Sequence, residues 1–549
     1  MPIPRSYPVR FTPKGVCDAF DATDAFAGAC QSLQNLVFDQ GNPELVTARP
    51  GVGAALTSFG GFTTPGFVSV HVALGQYIFG MIATGRNPGQ DEPFCYDTTG
   101  GVFVTISGVT AGNTPTSPAT SGPWTPPTMA VIGVKIIVTH PGFNGTGSNF
   151  FGVIDVTNIA APAWSSSNLA TNPLPSVPTA VANFNNRAYF AYQNKLFYSD
   201  VLNPVTATNA GQSLTVGDTS PITALSGLPI QTTSSGIIGG LAVFKPSSIW
   251  QVTGDAAFTP STLALTYITL NTGCIAPRSI AVASFGIPFI AIDGPYVLTF
   301  AGGVVPLNSG GDQTTAADIQ VPFQNTTEPT RIAAAYQGNI YRVCVPTTTA
   351  TGNQTNDYWF DLHRRRWNGP HTFGYDCASV PTSAVSGSFF VLSSAANPGM
   401  LFRSLTQPQS GITLTYDDLG VPITALMTSS SLPKTGHMAE KQVIESTIEL
   451  SSVGAAVTYN ITAYDDRSRT VGTAAITTQN VGGLWGAFNW GSGVNWASPY
   501  NVPFTYTVAW SAPVVFKKFV LSVQATATNS LSIGTFFARY QDCGYTNMG

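Results

Sequence analysis

A phrase returns about every fifty residues between Asn186 and Arg403, and this spacing restricts the fold more than any other feature of the chain. Its clearest copy is Arg187-Ala-Tyr-Phe-Ala-Tyr-Gln-Asn-Lys-Leu-Phe-Tyr-Ser-Asp200, two aromatic-rich runs around a polar Gln-Asn turn. That is the pattern of a β-hairpin. Looser copies are Leu241–Asp255, Pro288–Phe300, Ile340–Val345 answered by Asn356–Asp361, and Phe389–Leu392 answered by Met400–Arg403. Counting backwards, Tyr77–Ile82 and Met129–Val138 fall near the earlier expected positions. A lone hairpin cannot bury both faces, so each unit must cover its neighbour, and a ring of such units removes free edges. The expected fold is all-β, a propeller-like ring of about six to eight blades with an N-terminal arm and a C-terminal β-rich region.

The chain divides accordingly into an arm with a short helix at 1–70, a propeller at 71–410, and a C-terminal region at 411–549. The helix is expected between Asp21 and Phe38, where Phe26, Ala29, Leu33, Leu36 and Val37 recur at helical spacing and Asp21, Thr23 and Asp24 offer N-caps. The stretch Gly108–Pro127 carries five prolines and reads as a stiff functional or interface loop. In the C-terminal region, Lys441–Leu450, Ala455–Tyr464 and Phe516–Ala527 have strand patterns. They belong either to a separate β-sandwich or to strands that return to close the ring. Trp485, Trp490, Trp496 and Trp510 are core packing or interface contacts.

Charged residues make up 9% of the chain, against roughly a quarter in an ordinary soluble domain. Thr, Ser, Asn and Gly fill the deficit, and a neutral, hydroxyl-rich surface favours permanent assembly over life as a monomer. The net charge of −4 gives no general pull toward nucleic acid or anionic membrane. The start lacks an apolar signal core, and the apolar run Ile280–Ile292 is short and broken by Gly286 and Pro288, so a soluble protein made in a cytoplasm is expected. Seven scattered cysteines read as small buried hydrophobes.

No phosphate-binding loop, His-Glu-x-x-His, Cys-x-x-Cys or Gly-x-Ser-x-Gly motif is present. His363 and His371 are the closest histidine pair, without zinc-ligand spacing around them. Asp200, Asp255, Asp293 and Asp361 recur at like places in the repeats, which suits turn capping better than the paired acids of a glycosidase. No catalytic, cofactor-binding or metal-binding residue is expected, and the chain reads as a non-enzyme. The one charge run, Asp361-Leu-His-Arg-Arg-Arg-Trp367, puts Arg364, Arg365 and Arg366 at a hairpin turn. These three are a solvated turn, a subunit-interface contact or a contact to DNA in a channel.

Leu196–Pro204, Gly239–Gly254, Gly273–Ile280 with Ile292–Tyr296, and Asp357–Asp361 with Arg366-Trp367 resemble phrases of the tail nozzle (tail-tube or stabilisation) proteins of short-tailed bacteriophages. The match spans roughly 186–405; Asn87–Phe94 and Gly122–Pro127 are similar less specifically. The resemblance implies a propeller-bearing virion protein of the tail, made in the host cytoplasm and assembled usually as a homo-hexamer. Its implied partners are a head-to-tail adaptor ring, tail fibres or spikes, and viral DNA passing without sequence-specific binding. No cofactor is implied. The alternative is a receptor- or glycan-binding tail protein or, further off, a propeller glycosidase.

Overall fold

The structure is a computed structural model that describes residues 6–18, 27–39, 41–53, 55–58, 68–84, 89–117, 127–233, 236–254, 262–308, 318–349, 352–381, 389–394, 396–397, 399–406, 414–433, 440–453, 455–478, 503–527 and 529–543. Successive antiparallel sheets follow one another around a ring. Blade 1 comprises Val68–Leu74, Tyr77–Thr84, Gln90–Asp97 and Val102–Val104; blade 2 comprises Thr128–Ile132, Lys135–Thr139, Phe151–Asp155 and Ala163–Ser167. Blade 3 is Ala180–Phe184, Arg187–Tyr192, Lys195–Tyr198 and Ser213–Thr215, and blade 4 is Ala224–Thr233, Gly236–Phe244, Ile249–Thr253 and Ala264–Thr269. Blade 5 has three strands, Ile287–Ala291, Gly294–Leu298 and Val304–Pro306. Blade 6 is Ala333–Gln337, Ile340–Thr349, Gly352–Asp361 and Arg366–His371. Blade 7 is Cys377–Ser379, Phe390–Ser393 and Met400–Ser404, completed by Thr57–Ser58 from the other end of the propeller segment. Six of these sheets stand alone, whereas blade 6 is part of a larger ten-stranded sheet.

The recurring phrase is the hairpin of second and third strands in blades 3, 4, 6 and 7. These strands are the ones most enclosed by both neighbouring blades, so their residues are apolar on both faces. In blade 5 the phrase is out of phase and forms the first and second strands. Tight turns carry local signals: Asn185 and Asn186, both at positive φ, link the first two strands of blade 3 in the manner of a type I′ hairpin. Each seam between blades has its own apolar cluster. Phe151 meets Phe190 between blades 2 and 3 with ring centroids 4.8 Å apart, and Phe244 meets Phe289 between blades 4 and 5 at 5.3 Å. Ile78, Tyr96, Val391 and Leu401 join blade 7 to blade 1 and close the ring.

The remaining strands build a β-sandwich. One of its sheets runs Cys30–Gln34, Val421–Ser429, Phe519–Ala527, Thr458–Asp465, Thr470–Thr477, and joins blade 6 where Leu33 pairs with Gly369. The other runs Leu36–Phe38, Val46–Ala48, Leu531–Asp542, Lys441–Ser452, Phe504–Thr507, with Ser6–Phe11 also paired to Leu531–Asp542. Ile448, Leu450, Tyr459, Ile461, Leu521, Val523, Ile533 and Phe536 are buried between them, each worth about 1.5–3 kcal/mol of transfer free energy. This core is continuous with Tyr341, Val343 and Trp367 of blade 6, so ring and sandwich share one interior.

The C-terminal strands lie in a sandwich that is not separate, since Ser6–Phe11, Cys30–Gln34, Leu36–Phe38 and Val46–Ala48 enter its sheets and one sheet continues into blade 6, while Thr57–Ser58 closes the ring. The helix expected between Asp21 and Phe38 is corrected: residues 27–38 hold strands Cys30–Gln34 and Leu36–Phe38, and residues 19–26 lie outside the described residues. Leu33 and Leu36 recur at a helical interval because Asn35 between the strands stands at φ 56° and a bulge falls between Cys30 and Ser32. Trp485, Trp490 and Trp496 also lie outside the described residues, while Trp510 is half-buried with its Nε1 donating to Ser446 Oγ at 2.8 Å.

Candidate functional site

Because strands alternate in direction, the connections between blades and the turns between second and third strands emerge on one face of the ring. The first strands of blades 1–4, 6 and 7 pack around its centre, the turn Pro277–Ser279 standing between those of blades 4 and 6. Two short 3₁₀ turns enter here, Pro277–Ser279 before blade 5 and Pro329–Arg331 before blade 6, each begun by a proline that presets φ.

Arg278 is half-buried, and its Nη1 donates to Sγ of Cys377, the first strand residue of blade 7. Beside it, Asp376 accepts from Arg331 Nη2 at 2.7 Å and from Arg331 Nε at 3.2 Å. Arg331 Nη1 donates to Glu328 Oε2 at 2.7 Å. His71, on the first strand of blade 1, feels the same charge: burial, then Arg278 and His140, hold its pKa down to about 3, so the imidazole is neutral. Its Nε2 is buried without a hydrogen-bond partner. The cluster therefore draws together blades 1, 6 and 7 and the entry to blade 5. Asp376 is 5% exposed and Glu328 42% exposed, so the pair presents one enclosed and one solvent-facing carboxylate on a shared guanidinium. Such a rim suits hydroxyl-bearing or charged ligands, and equally serves to tie the 3₁₀ turns to the ring.

A second polar group lies on the same face, between blades 1 and 2. Asp91 Oδ2 is bonded to His140 Nε2 at 2.8 Å, Asp91 Oδ1 accepts from Ser117 Oγ, and Gly142 N donates to His140 Nδ1 at 3.0 Å. The serine contacts the carboxylate rather than the imidazole, so the histidine is not placed to take its proton. The three side chains instead pin the Pro-rich connection. Gly142 permits this approach, since a Cβ there would stand 1.8 Å from the Thr116 carbonyl oxygen. In blade 4, the fully buried Lys245 donates to the Asp218 carbonyl and carboxylate at 2.7 and 2.6 Å. Lys245 first, then Ser220, hold the Asp218 carboxyl down to about 2.

The three arginines of the charge run do not act as a group. Arg364 bends back to Asp361 Oδ2 at 3.3 Å, donates to the Asp39 carbonyl, and lies over the Phe38 ring at 5.4 Å. Arg366 is half-buried beside Gly15, and burial, chiefly, pushes its pKa down. Arg365, at φ 52°, is exposed at the turn. Asp361 accepts from the Arg364 amide of its own turn, Asp200 accepts from the Thr208 amide eight residues on, Asp293 accepts from Tyr296 Oη at 2.6 Å, and Asp255 lies outside the described residues. His363 contacts Asn339 while His371 is buried against Trp359, so the two histidines are not together. None of the seven cysteines is in a disulfide; six are buried. Among the described residues no group of three or more His, Cys, Asp or Glu is arranged to hold a metal ion, and no helix is long and apolar enough to cross a membrane.

Sequence reasoning missed Arg278, Arg331, Asp376 and His71. The available signal was scarcity: Arg278 and Arg331 are isolated charges just before a strand, in a chain with few charges to spend.

No family model matches the chain, and no curated protein sequence matches it. Solved structures align with it at low similarity. An ancestral GH74 enzyme aligns over 69% of this chain and 54% of its own at TM-score 0.33 and 11% identity, so the chain spans about half the length of that enzyme. BBS1N, from its complex with ARL6DN, aligns over 69% of this chain and 98% of its own at TM-score 0.37 and 10% identity. A PL25 ulvan lyase aligns over 63% of this chain and 95% of its own at TM-score 0.31 and 10% identity. The expectation of a non-enzyme is corrected by these neighbours, since a glycoside hydrolase and a polysaccharide lyase stand among them. The lack of a familiar motif does not exclude catalysis, because unrelated chemistries occupy one fold. Likenesses this distant transfer no catalytic residue, substrate or partner to the chain.

Proposed function

We propose that this chain is a structural subunit of the tail nozzle of a short-tailed bacteriophage. It assembles as a homo-hexamer below the adaptor ring, extends the channel through which viral DNA leaves, and offers outer surfaces to tail fibres or spikes. The observation that carries the reading is the placement of the nozzle-like phrases. Leu196–Pro204 holds the third strand of blade 3 and the turn after it, Gly239–Gly254 spans the second and third strands of blade 4, Gly273–Ile280 is the entry to blade 5, and Asp357–Asp361 with Arg366-Trp367 spans the outer hairpin of blade 6. The phrases thus follow the blade framework through four consecutive blades. A propeller sharing its core with a sandwich gives a stiff two-lobed unit, and low charge leaves surfaces that associate without strong repulsion. A conduit for DNA gains from weak phosphate contact, and Arg365 is the member of the charge run available to a neighbouring subunit or to the channel.

The test is the mass of the purified chain, alone and mixed with an adaptor ring, followed by imaging of any complex. A sixfold ring with an open axial channel is the expected result. A monomer that ignores the adaptor would overturn the proposal.

The second reading, a glycan-binding or glycan-processing tail protein, draws on the rim formed by Glu328, Arg331 and Asp376. It predicts saturable binding or cleavage of an oligosaccharide that Glu328→Gln weakens at least tenfold. Equal binding by wild type and variant would remove that rim from consideration.

A further inference from the structure

Between blades 6 and 7, Arg342 is 1% exposed, with its guanidinium carbon 4.9 Å from the ring centres of both Trp359 and Tyr375. Its Nε donates to Asp357 Oδ2 at 2.7 Å, and its Nη1 donates to Ser404 Oγ of blade 7 at 2.6 Å. Trp359 Nε1 donates to the same Asp357 oxygen at 2.6 Å. One carboxylate oxygen is therefore served twice. The other, Oδ1, is buried without a protein partner.

Two more polar atoms of this seam share that condition, His371 Nδ1 and Tyr375 Oη. Strand register sets Asp357 beside His371, and the Tyr375 ring lies against the same Arg342 guanidinium that Asp357 holds. Asp357 lies directly opposite His371 on one side, which places their Cβ atoms about 4.5–5.5 Å apart. On its other side Asp357 lies opposite Cys344, whose Sγ accepts from the Tyr375 amide at 3.3 Å. Three unmet polar atoms in one interior seam are costly enough to be rare.

The chemistry of the three atoms selects the occupant. His371 Nε2 bonds Asn368 Oδ1 at 3.0 Å, so Nε2 carries the proton and Nδ1 is an acceptor. Burial, then Arg49 and Arg342, push the His371 pKa well down, which keeps the ring neutral. Burial and then Asp357 push the Tyr375 phenol up, so it keeps its proton to donate. Asp357 Oδ1 is an acceptor. Two acceptors and one donor are matched by a molecule that gives two hydrogens and takes one, which water does with three bonds, the usual number for buried water. A bare cation would face Arg342 and Arg49, and an anion would face the Asp357 carboxylate.

We infer that the seam between blades 6 and 7 is a built hydration site, in which one ordered water donates to Asp357 Oδ1 and His371 Nδ1 and accepts from Tyr375 Oη. The water joins the two outer strands of blade 6 to the segment that leads into blade 7. Burial raises the Asp357 carboxyl to about 6 against Arg342, Trp359 and Arg49, and the nearby Cys344 thiol is raised well above its usual range by burial and then by Asp357.

The test is a crystal structure of the full chain, grown with bromide, at a resolution that shows ordered solvent. A single density peak bonded to all three atoms without anomalous bromide signal is the expected result. An empty seam, or a bromide peak in it, overturns the site. Independently, Tyr375→Phe removes one oxygen and keeps the ring, so it lowers the apparent melting temperature by a few degrees if the hydroxyl is bonded. An unchanged or higher melting temperature shows an unmet hydroxyl and overturns the water bridge. Should the variant fail to fold, the wild-type density decides.

Discussion

Removing the Asp418 carboxylate should unlock the junction between the ring and the sandwich. Arg49, 1% exposed, donates from Nη1 to Asp418 Oδ1 at 3.0 Å and pairs with Oδ2 through Nη2. Its Nε donates to Asn35 Oδ1 and its Nη1 to the Pro50 carbonyl, both at 3.0 Å, while Val52 N donates to Asp418 Oδ1 at 3.0 Å. Asn35 in turn donates to the Thr424 carbonyl at 2.8 Å and accepts from Thr372 N next to blade 6 at 3.0 Å. In Asp418→Ala the guanidinium stays buried with only neutral acceptors, and losing one partner of a buried ion pair costs about 3–5 kcal/mol. Asp418 itself is 17% exposed, which puts the expected loss near the lower end, about 3 kcal/mol. Replacing both partners, as in Arg49→Met with Asp418→Leu, should cost less than the sum of the single changes, since no charge is then left behind. The assay is the midpoint of guanidinium unfolding followed by tryptophan fluorescence, with m-values compared to confirm that the same transition is read. A loss under about 1 kcal/mol for Asp418→Ala, the range of an exposed pair, would refute the claim that this contact locks the junction.

Three further outcomes are expected. A Cβ at Gly152 would stand 1.9 Å from Trp164 Cη2, so Gly152→Ala should displace that ring from its 3.0 Å bond to the Asn113 carbonyl. The expected cost is about 1–3 kcal/mol, measured as a lower unfolding midpoint. The Asp357 carboxyl is raised from 3.8 to about 6, so its contribution to stability is fully present below about 4 and is lost as pH rises through about 6. Asp357→Asn should flatten the melting-temperature profile within that window; an unaltered slope would mean the group does not titrate there. A thiol reagent applied to the native chain should label at most Cys543 quickly, because the other six thiols are buried and Cys30 and Cys95 are raised to about 12 by burial. Rapid labelling of three or more would contradict that packing.

The blades were legible because the second and third strands of each are squeezed from both sides, and phrases such as Arg187–Tyr192 with Lys195–Tyr198 carry that enclosure as runs of apolar and aromatic residues. First strands are shorter or more degenerate, as in Cys377–Ser379, so the blade boundaries were harder to read than the repeat itself. The Cys30–Phe38 segment misled by its spacing, since a left-handed Asn35 shifts the side-chain alternation by one residue. The polar clusters were not legible at all. Arg49 and Asp418, or Arg278 and Cys377, are brought together only when the ring closes, and nothing in their local sequence announces a distant partner.

The ring is sealed by Thr57–Ser58 pairing with Met400–Ser404, and Ser6–Phe11 pairs with the strand Leu531–Asp542. During synthesis the first strand must therefore wait for the last one. At about 5–20 residues per second, a separation of some five hundred residues means roughly half a minute to two minutes on the ribosome with its pairing edge uncovered. A chain released before Leu531–Asp542 is made would lack the strand that covers Ser6–Phe11, so that sheet of the sandwich closes only after nearly all of the residues between them have been added.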